Sequence, residues 1–192
     1  MIPRGVLRAR NAMVTRQAIL DCARVRLREE GYDAASLREI AACAGVDAAL
    51  VSRYFGSKEE LLIEVLQCSA PPPLEMFSGA REGFGMRLAE LLVCAPADEG
   101  KFDCLIIILR SLGSPTAAAA IRQSSRANFY APIVEWLGGG AEAEVKAALI
   151  AAIMKGVTLS RFMDQGFGFP EGEMGCFRDR LAEILQRIVD QS

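Results

Sequence analysis

Apolar residues recur at spacings of three and four through most of this chain, the spacing of one buried helical face. Ile19, Cys22, Ala23 and Leu27 share such a face, which predicts a first helix over about residues 15–30, ended by Gly31. Leu37, Ile40, Ala41 and Ala44 predict a short second helix, and Val51, Tyr54 and Phe55 face inward from a short third one. Leu61, Leu62, Val65 and Leu66 belong to a fourth that starts at Lys58 and is stopped by the prolines at 71–73. Beyond them the pattern predicts helices over 77–94, 102–112, 115–137, 141–165 and 173–191. Gly79, Gly83 and Gly85 blur the start of the first of these, and Pro132 kinks the third. Residues 1–14 read as a flexible basic arm.

The joints between helices two, three and four carry the most specific signal. Ser36 and Glu39 form a capping box, the serine accepting from a free amide and the glutamate reaching back. Gly45 takes the left-handed position that ends a helix, Val46 plugs the angle, and Asp47 caps the next helix. Gly56 then stops that helix, and Ser57 with Glu60 makes a second capping box around Lys58. Two short helices joined by a glycine turn are a helix-turn-helix, which sets its second helix in the DNA major groove. The fold class is therefore all-α, an N-terminal three-helix DNA-binding domain on a larger helical body. The boundary is placed so that residues 1–57 form the arm and head, and 58–192 the body.

This stretch resembles the DNA-binding domain of the tetracycline-repressor (TetR) family of transcription regulators. The matching residues are 15–31 as first helix, Leu37-Arg-Glu-Ile-Ala41 as second, Ala44-Gly-Val46 at the turn, and Tyr54-Phe-Gly-Ser-Lys-Glu-Glu-Leu61 at the recognition-helix exit. They cover about the first third of the chain; the rest agrees only in general character. One departure stands out: where the family often carries Gly-Thr-Leu-Tyr, this chain has Ala49-Leu-Val-Ser52, so Ser52 replaces a backbone-contacting aromatic. The resemblance implies a homodimer joined by the last two helices of each subunit, a double-stranded DNA operator and a small-molecule effector.

Charge adds to this reading. The net charge is −2, yet residues 1–28 carry seven arginines against one acid, Asp21, while 61–192 carry twelve bases against sixteen acids. A basic front on an acidic body suits a protein that meets phosphate at one end. The apolar run 104–109 is closed by Arg110, well short of the roughly 18 apolar residues of a membrane span. The early arginines are followed by no apolar signal core, and the expected location is the cytoplasm. The six cysteines show no Cys-x-x-Cys spacing, and read as small buried hydrophobes in a reducing compartment.

Enzymatic chemistry has little to stand on. The chain has no histidine, which excludes the usual triads and histidine metal sites. Neither a Gly-x-Ser-x-Gly elbow nor a phosphate-binding glycine loop occurs. No metal or cofactor is expected, and pH, zinc or disulfide switching of the head has no support in the residue pattern.

The candidate DNA-binding residues are Ser36, Ala48, Ala49, Leu50, Ser52, Arg53, Tyr54 and Lys58. Arg53 and Ser52 are candidates for base edges, the apolar residues for thymine methyls, and Lys58 for a phosphate at a helix N-terminus. Tyr54 serves a phosphate, packs, or does both. In the body, Phe84, Phe102, Leu105, Ile108, Arg110, Phe129, Trp136, Met154 and Thr158 are candidates for an apolar ligand pocket, against the plainer reading of ordinary core. Ala148, Ala152, Gly156, Leu181 and Leu185 are candidates for the dimer face, against alanines packed within one subunit. The leading expectation is a repressor released from a palindromic operator by a small apolar molecule. The alternative is a helix-turn-helix regulator controlled by a protein partner, with no small-molecule pocket.

Overall fold

The computed structural model describes residues 4–69, 77, 80–95, 99–164, 166–170 and 172–191. Among these residues the regular structure is helical, with no strand. The helices are α1 (Arg4–Ala34), α2 (Leu37–Cys43), α3 (Ala48–Phe55), α4 (Lys58–Ser69), α5 (Phe84–Val93), α6 (Glu99–Ser111), α7 (Pro115–Ser125), α8 (Ala131–Trp136), α9 (Gly140–Met163) and α10 (Glu173–Asp190). A π-helical turn, Arg126–Tyr130, joins α7 to α8.

Two of these elements differ from the sequence reading for definable reasons. Helix α1 begins at Arg4, so most of the expected arm is helical; after Pro3 it holds arginine, alanine, leucine and methionine, all good helix formers. The kink expected at Pro132 is taken up upstream. Proline has no amide to donate to Asn128, and the Ala131 amide instead bonds the carbonyl of Arg126, one residue further back than an α-helix would choose.

The chain divides into two compact units, each built from two separate stretches of sequence. The first unit joins residues 1–71 to 99–122. In it α1 packs on α2, α4 and α6, and α3 packs on α2 and α4. Its core is built from Ile19 and Leu27 of α1, Ile40 of α2, Val51 of α3, Leu61 and Leu62 of α4, Ile107 of α6 and Ile121 of α7. The second unit joins residues 72–98 to 123–192. There α5 packs on α9 and α10, with Phe84, Leu88, Ile133, Ile150 and Leu185 fully buried.

Ion pairs tie the first unit together. Arg16 pairs with Glu64, Arg24 with Asp21, Arg26 with Glu30 and Arg28 with Asp103. Among the described side chains, Arg16, Arg24, Arg26 and Arg28 thus each pair with an acid, and less of their charge is free for phosphate than the sequence count implies.

Candidate nucleic-acid interface

The local rules that shape the helix-turn-helix are met in the structure. The Ser36 hydroxyl accepts from the Glu39 amide at 3.2 Å, and a Glu39 carboxylate oxygen accepts from the Ser36 amide at 3.2 Å and its hydroxyl at 2.7 Å. These bonds hold the Glu39 carboxyl below its ordinary value. The turn follows, with Gly45 at φ 65° and the Val46 amide bonded to the Ala41 carbonyl at 2.9 Å. Asp47 caps α3 through the Ala49 amide at 2.7 Å. Gly56 ends α3, and the second box closes with Ser57 Oγ accepting from the Glu60 amide at 3.1 Å and Glu60 Oε2 from the Ser57 amide at 2.7 Å.

Val51 and Phe55 fix the inner face of α3 in the core. Ala49, Ser52 and Arg53 are exposed on the other side, and Leu50 is half-buried. Ala48 was expected on the outer face; it packs partly against the core, because it sits one turn before Val51. Tyr54 is half-buried, its ring 6.3 Å from that of Phe55 and under the Arg53 guanidinium at 5.8 Å. Ser36 is committed to its capping box, with its side chain half-buried. Lys58 lies in the first turn of α4 with its ammonium 4.3 Å over the Tyr32 ring. The Tyr32 hydroxyl donates to Glu59 at 2.7 Å, which lowers the Glu59 carboxyl; burial, and after it this bond, raises the tyrosine.

Cys22 and Cys43 are joined in a disulfide across α1 and α2, with Cα atoms 5.9 Å apart. This corrects the reading of the cysteines as buried thiols and of the head as lacking a cysteine pair. The bond links residues 21 apart in sequence, so no short motif announces it. What could have found it is that both cysteines lie on the facing sides of two helices predicted to pack. Cys68, Cys94 and Cys176 are exposed thiols, and Cys104 is partly buried, its thiol pushed up to about 11 by burial.

The candidate pocket residues fall into both units. In the first, Ile108 packs against the core, Leu105 is half-buried, and Arg110 is exposed, its guanidinium donating to the Glu29 carbonyl near the end of α1. The Phe102 side chain lies outside the described residues. In the second, Phe84 is fully buried, its ring 4.8 Å from Trp136 and 5.5 Å from Phe77. Phe129 and Met154 pack partly against this cluster, and Thr158 is half-buried. A separate open depression on the second unit is lined by Arg87, Glu90, Leu91, Cys94 and Ala95, none of them a candidate.

On α9, Ala148, Ala152 and Gly156 point outward, together with Val145 and Leu149, which are 61 % and 49 % exposed. Their neighbours Ala147 and Ala151 are fully buried. On α10 the sequence choice of Leu181 and Leu185 is corrected. Both lie in the core of their own unit, because α5 packs on that edge of the apolar stripe, and Ile184 is the residue left outside.

Comparison with known proteins gives a consistent picture. Residues 19–65 match the family model of bacterial regulatory proteins of the tetR family, and residues 82–189 that of the tetracyclin repressor-like C-terminal domain. The HTH-type transcriptional regulator BetI of Rhizobium meliloti (strain 1021) is 44 % identical over 54 residues, which span 28 % of this chain and 27 % of that relative. Among solved structures, NalD of Pseudomonas aeruginosa, the secondary repressor of the MexAB-OprM multidrug efflux pump, has a TM-score of 0.70 at 19 % identity, covering 91 % of this chain and 96 % of that one. A TetR-family regulator of Streptomyces coelicolor A3 has a TM-score of 0.61 at 26 % identity, covering 92 % and 95 %.

Proposed function

The chain belongs to the TetR family of bacterial regulatory proteins, whose members are DNA-binding transcription regulators and not enzymes, and from that premise we propose a ligand-responsive repressor. A homodimer binds a near-palindromic operator through α2 and α3 of each copy and lets go when a small apolar molecule binds the body. The observation that carries this reading is the outward face of α3: Ala49, Ser52 and Arg53 are free to meet base edges, while Val51 and Phe55 lock the helix from behind. Lys58 and Tyr54 flank that face and serve as phosphate contacts; Ser36 and Ala48 hold the two helices through the capping box and the core, and the half-buried Leu50 offers an apolar contact to a thymine methyl. The exposed apolar face of α9 supports dimerisation, since a palindrome needs two heads held about one helical turn of DNA apart. Repression as the sign of control draws on the likeness to NalD, a repressor. No described helix is long and apolar enough to cross a membrane, which accords with work on DNA in the cytoplasm.

Selection of binding sites from a random duplex pool tests the proposal. An inverted repeat should emerge for the native protein, and Arg53→Ala should relax preference at one position of each half-site. A pool with no enriched sequence would set the reading aside. One observation favours a second reading, control by a protein partner. The rings of Phe77, Phe84 and Trp136 pack on one another within the second unit, so these residues already have partners where a ligand would have to lie. Mass spectrometry of the purified protein under native conditions separates the two, since a copurified small molecule is expected only on the first.

A further inference from the structure

The disulfide between Cys22 and Cys43 sits in an unusual place for a protein that works on DNA. Where DNA is read, thiols are kept reduced, and disulfides that do form there are mostly transient and redox-sensing. Secreted proteins use such bonds to replace a missing core, yet the first unit has one, built from Ile19, Leu27, Ile40, Val51 and Leu61. A bond to make up for poor packing is not needed here. With the bond formed the two Cα atoms stand 5.9 Å apart, in the middle of the range disulfides prefer, and α1 packs on α2 through the core around them, so the packing that brings the two cysteines together does not depend on the bond alone. Cys43 is exposed and Cys22 half-buried, which gives small reagents one sulfur to attack and a second close by to complete exchange.

We propose that Cys22 and Cys43 form a reversible thiol–disulfide pair, oxidised by exchange with a low-molecular-weight disulfide, and that closing the bond makes the head hold DNA more tightly. This rests on the DNA-binding reading above. In the first step the Cys43 thiolate attacks one sulfur of the small disulfide, forming a mixed disulfide and releasing one small thiol. In the second, the Cys22 thiolate attacks Sγ of Cys43, forming the internal bond and releasing the second small thiol. Two electrons pass from the protein to the small disulfide, and the two protein protons leave on the released thiols. A small thiolate attacking Cys43 reverses the sequence.

The link to DNA follows from where Cys43 lies. It is the last residue of α2, directly before Ala44, whose amide caps that helix, and the turn into α3. Val46, which bonds back to Ala41, and Asp47, which caps the recognition helix, follow within four residues. A bond from Cys43 to the long helix α1 therefore ties down the end of α2 from which α3 departs. It also closes a ring around the α1–α2 joint, narrowing the unfolded ensemble and the fluctuations of the turn. Holding a binding element in one position before contact strengthens association by removing part of the ordering cost.

The test uses the full chain with Cys68, Cys94 and Cys176 replaced by serine and Cys104 by alanine, beside the native protein mapped by mass spectrometry. Both are equilibrated in buffers of reduced and oxidised glutathione. The joined Cys22–Cys43 peptide should appear as the oxidised share rises and vanish when it falls. The oxidised form should melt roughly 5–10 °C higher. Its affinity for a duplex selected by the protein itself should be about three- to tenfold tighter, with an unchanged salt slope. Cys43→Ser should keep the reduced affinity in every buffer. The proposal falls if the bond never forms, if it persists in excess dithiothreitol, or if the two forms bind the duplex equally. Failure of both forms to bind any duplex would instead sink the DNA-binding reading and with it the coupling, while the cycling of the bond would still decide the pair.

Discussion

Gly85 lies so close to Ala182 that a Cβ on it would stand 2.1 Å from the Ala182 carbonyl oxygen. Helices α5 and α10 meet there at backbone distance. The Gly85 amide, in the first turn of α5 and so without a helical acceptor, donates to Gln186 Oε1 at 3.0 Å. Gln186 in turn donates to the Arg81 carbonyl at 3.1 Å and to Asp190 at 2.9 Å. Gly85→Ala should force the helices apart and destabilise the protein by about 1–3 kcal/mol. Gln186→Ala should cost a similar amount, on the order of 1–3 kcal/mol, because it leaves a buried amide unpaired. Chemical denaturation of both variants measures this, and a Gly85→Ala protein as stable as the native one would show that the contact is loose.

Arg28 and Asp103 form the second test. The Asp103 side chain is nearly buried on α6, with the Arg28 guanidinium of α1 at 2.9 Å. Removing the cation strands the carboxylate. Arg28→Ala is expected to cost on the order of 1–3 kcal/mol, and Asp103→Asn less, since it removes the charge that needs a partner. Comparing the two midpoints in urea, and that of the double variant, isolates the pair.

DNA contacts divide into anchoring and reading. Lys58→Ala and Tyr54→Phe should weaken binding to every duplex alike, Lys58 lowering the salt slope by roughly one unit. Arg53→Ala should cost about 1–3 kcal/mol on the selected site and little on random DNA. Titrations at several salt concentrations distinguish the two patterns. A Lys58 variant with the native slope would mean that its ammonium stays over the Tyr32 ring when DNA is bound.

Much of this head was legible because caps and turns are local. Ser36 with Glu39, Asp47 with Ala49, and Ser57 with Glu60 each find their partner within three residues, and each was read correctly from spacing alone. What escaped depends on which surfaces meet. The Cys22–Cys43 bond needs two helices side by side. On α10, Phe177, Leu181, Ile184, Leu185 and Ile188 form a stripe wide enough for two neighbours, and only the packing of α5 decides that Leu185 goes in and Ile184 stays out. Arg110, a pocket candidate by its place in an apolar run, reaches a backbone carbonyl of α1.

The dimer prediction uses two adjacent alanines as each other's control. Ala151 is fully buried and Ala152 exposed. Ala152→Arg should yield a folded monomer with weak operator binding, because the charge would be buried unpaired only on association. Ala151→Arg should fail to fold. Sedimentation and circular dichroism separate these results, and a dimeric Ala152→Arg protein would move the interface off this face.

Acid sensitivity follows from Glu59. Its carboxyl is held low by the Tyr32 hydroxyl, so its contribution is present above the ordinary value of 4.5 and disappears as pH falls through the lower folded one. Glu59→Gln should therefore leave a melting temperature that depends less on pH below that value. Scanning calorimetry from pH 6 to about 3 reads the difference, and parallel curves for the two proteins would assign the acid transition elsewhere.

The discontinuous first unit bears on how such chains can be reshuffled by recombination. A contiguous segment ending at residue 71 carries every residue proposed to touch DNA, yet it lacks Ile107, Ala117 and Ile121, which complete its interior. Grafted alone onto a foreign body, it would present the apolar sides of α1 and α4 to surfaces with which they share no history. On the proposed reading, changes at the exposed Ala49, Ser52 and Arg53 leave this interior intact, whereas exchanging a whole head calls for a partner that brings a compatible stretch from 99 to 122.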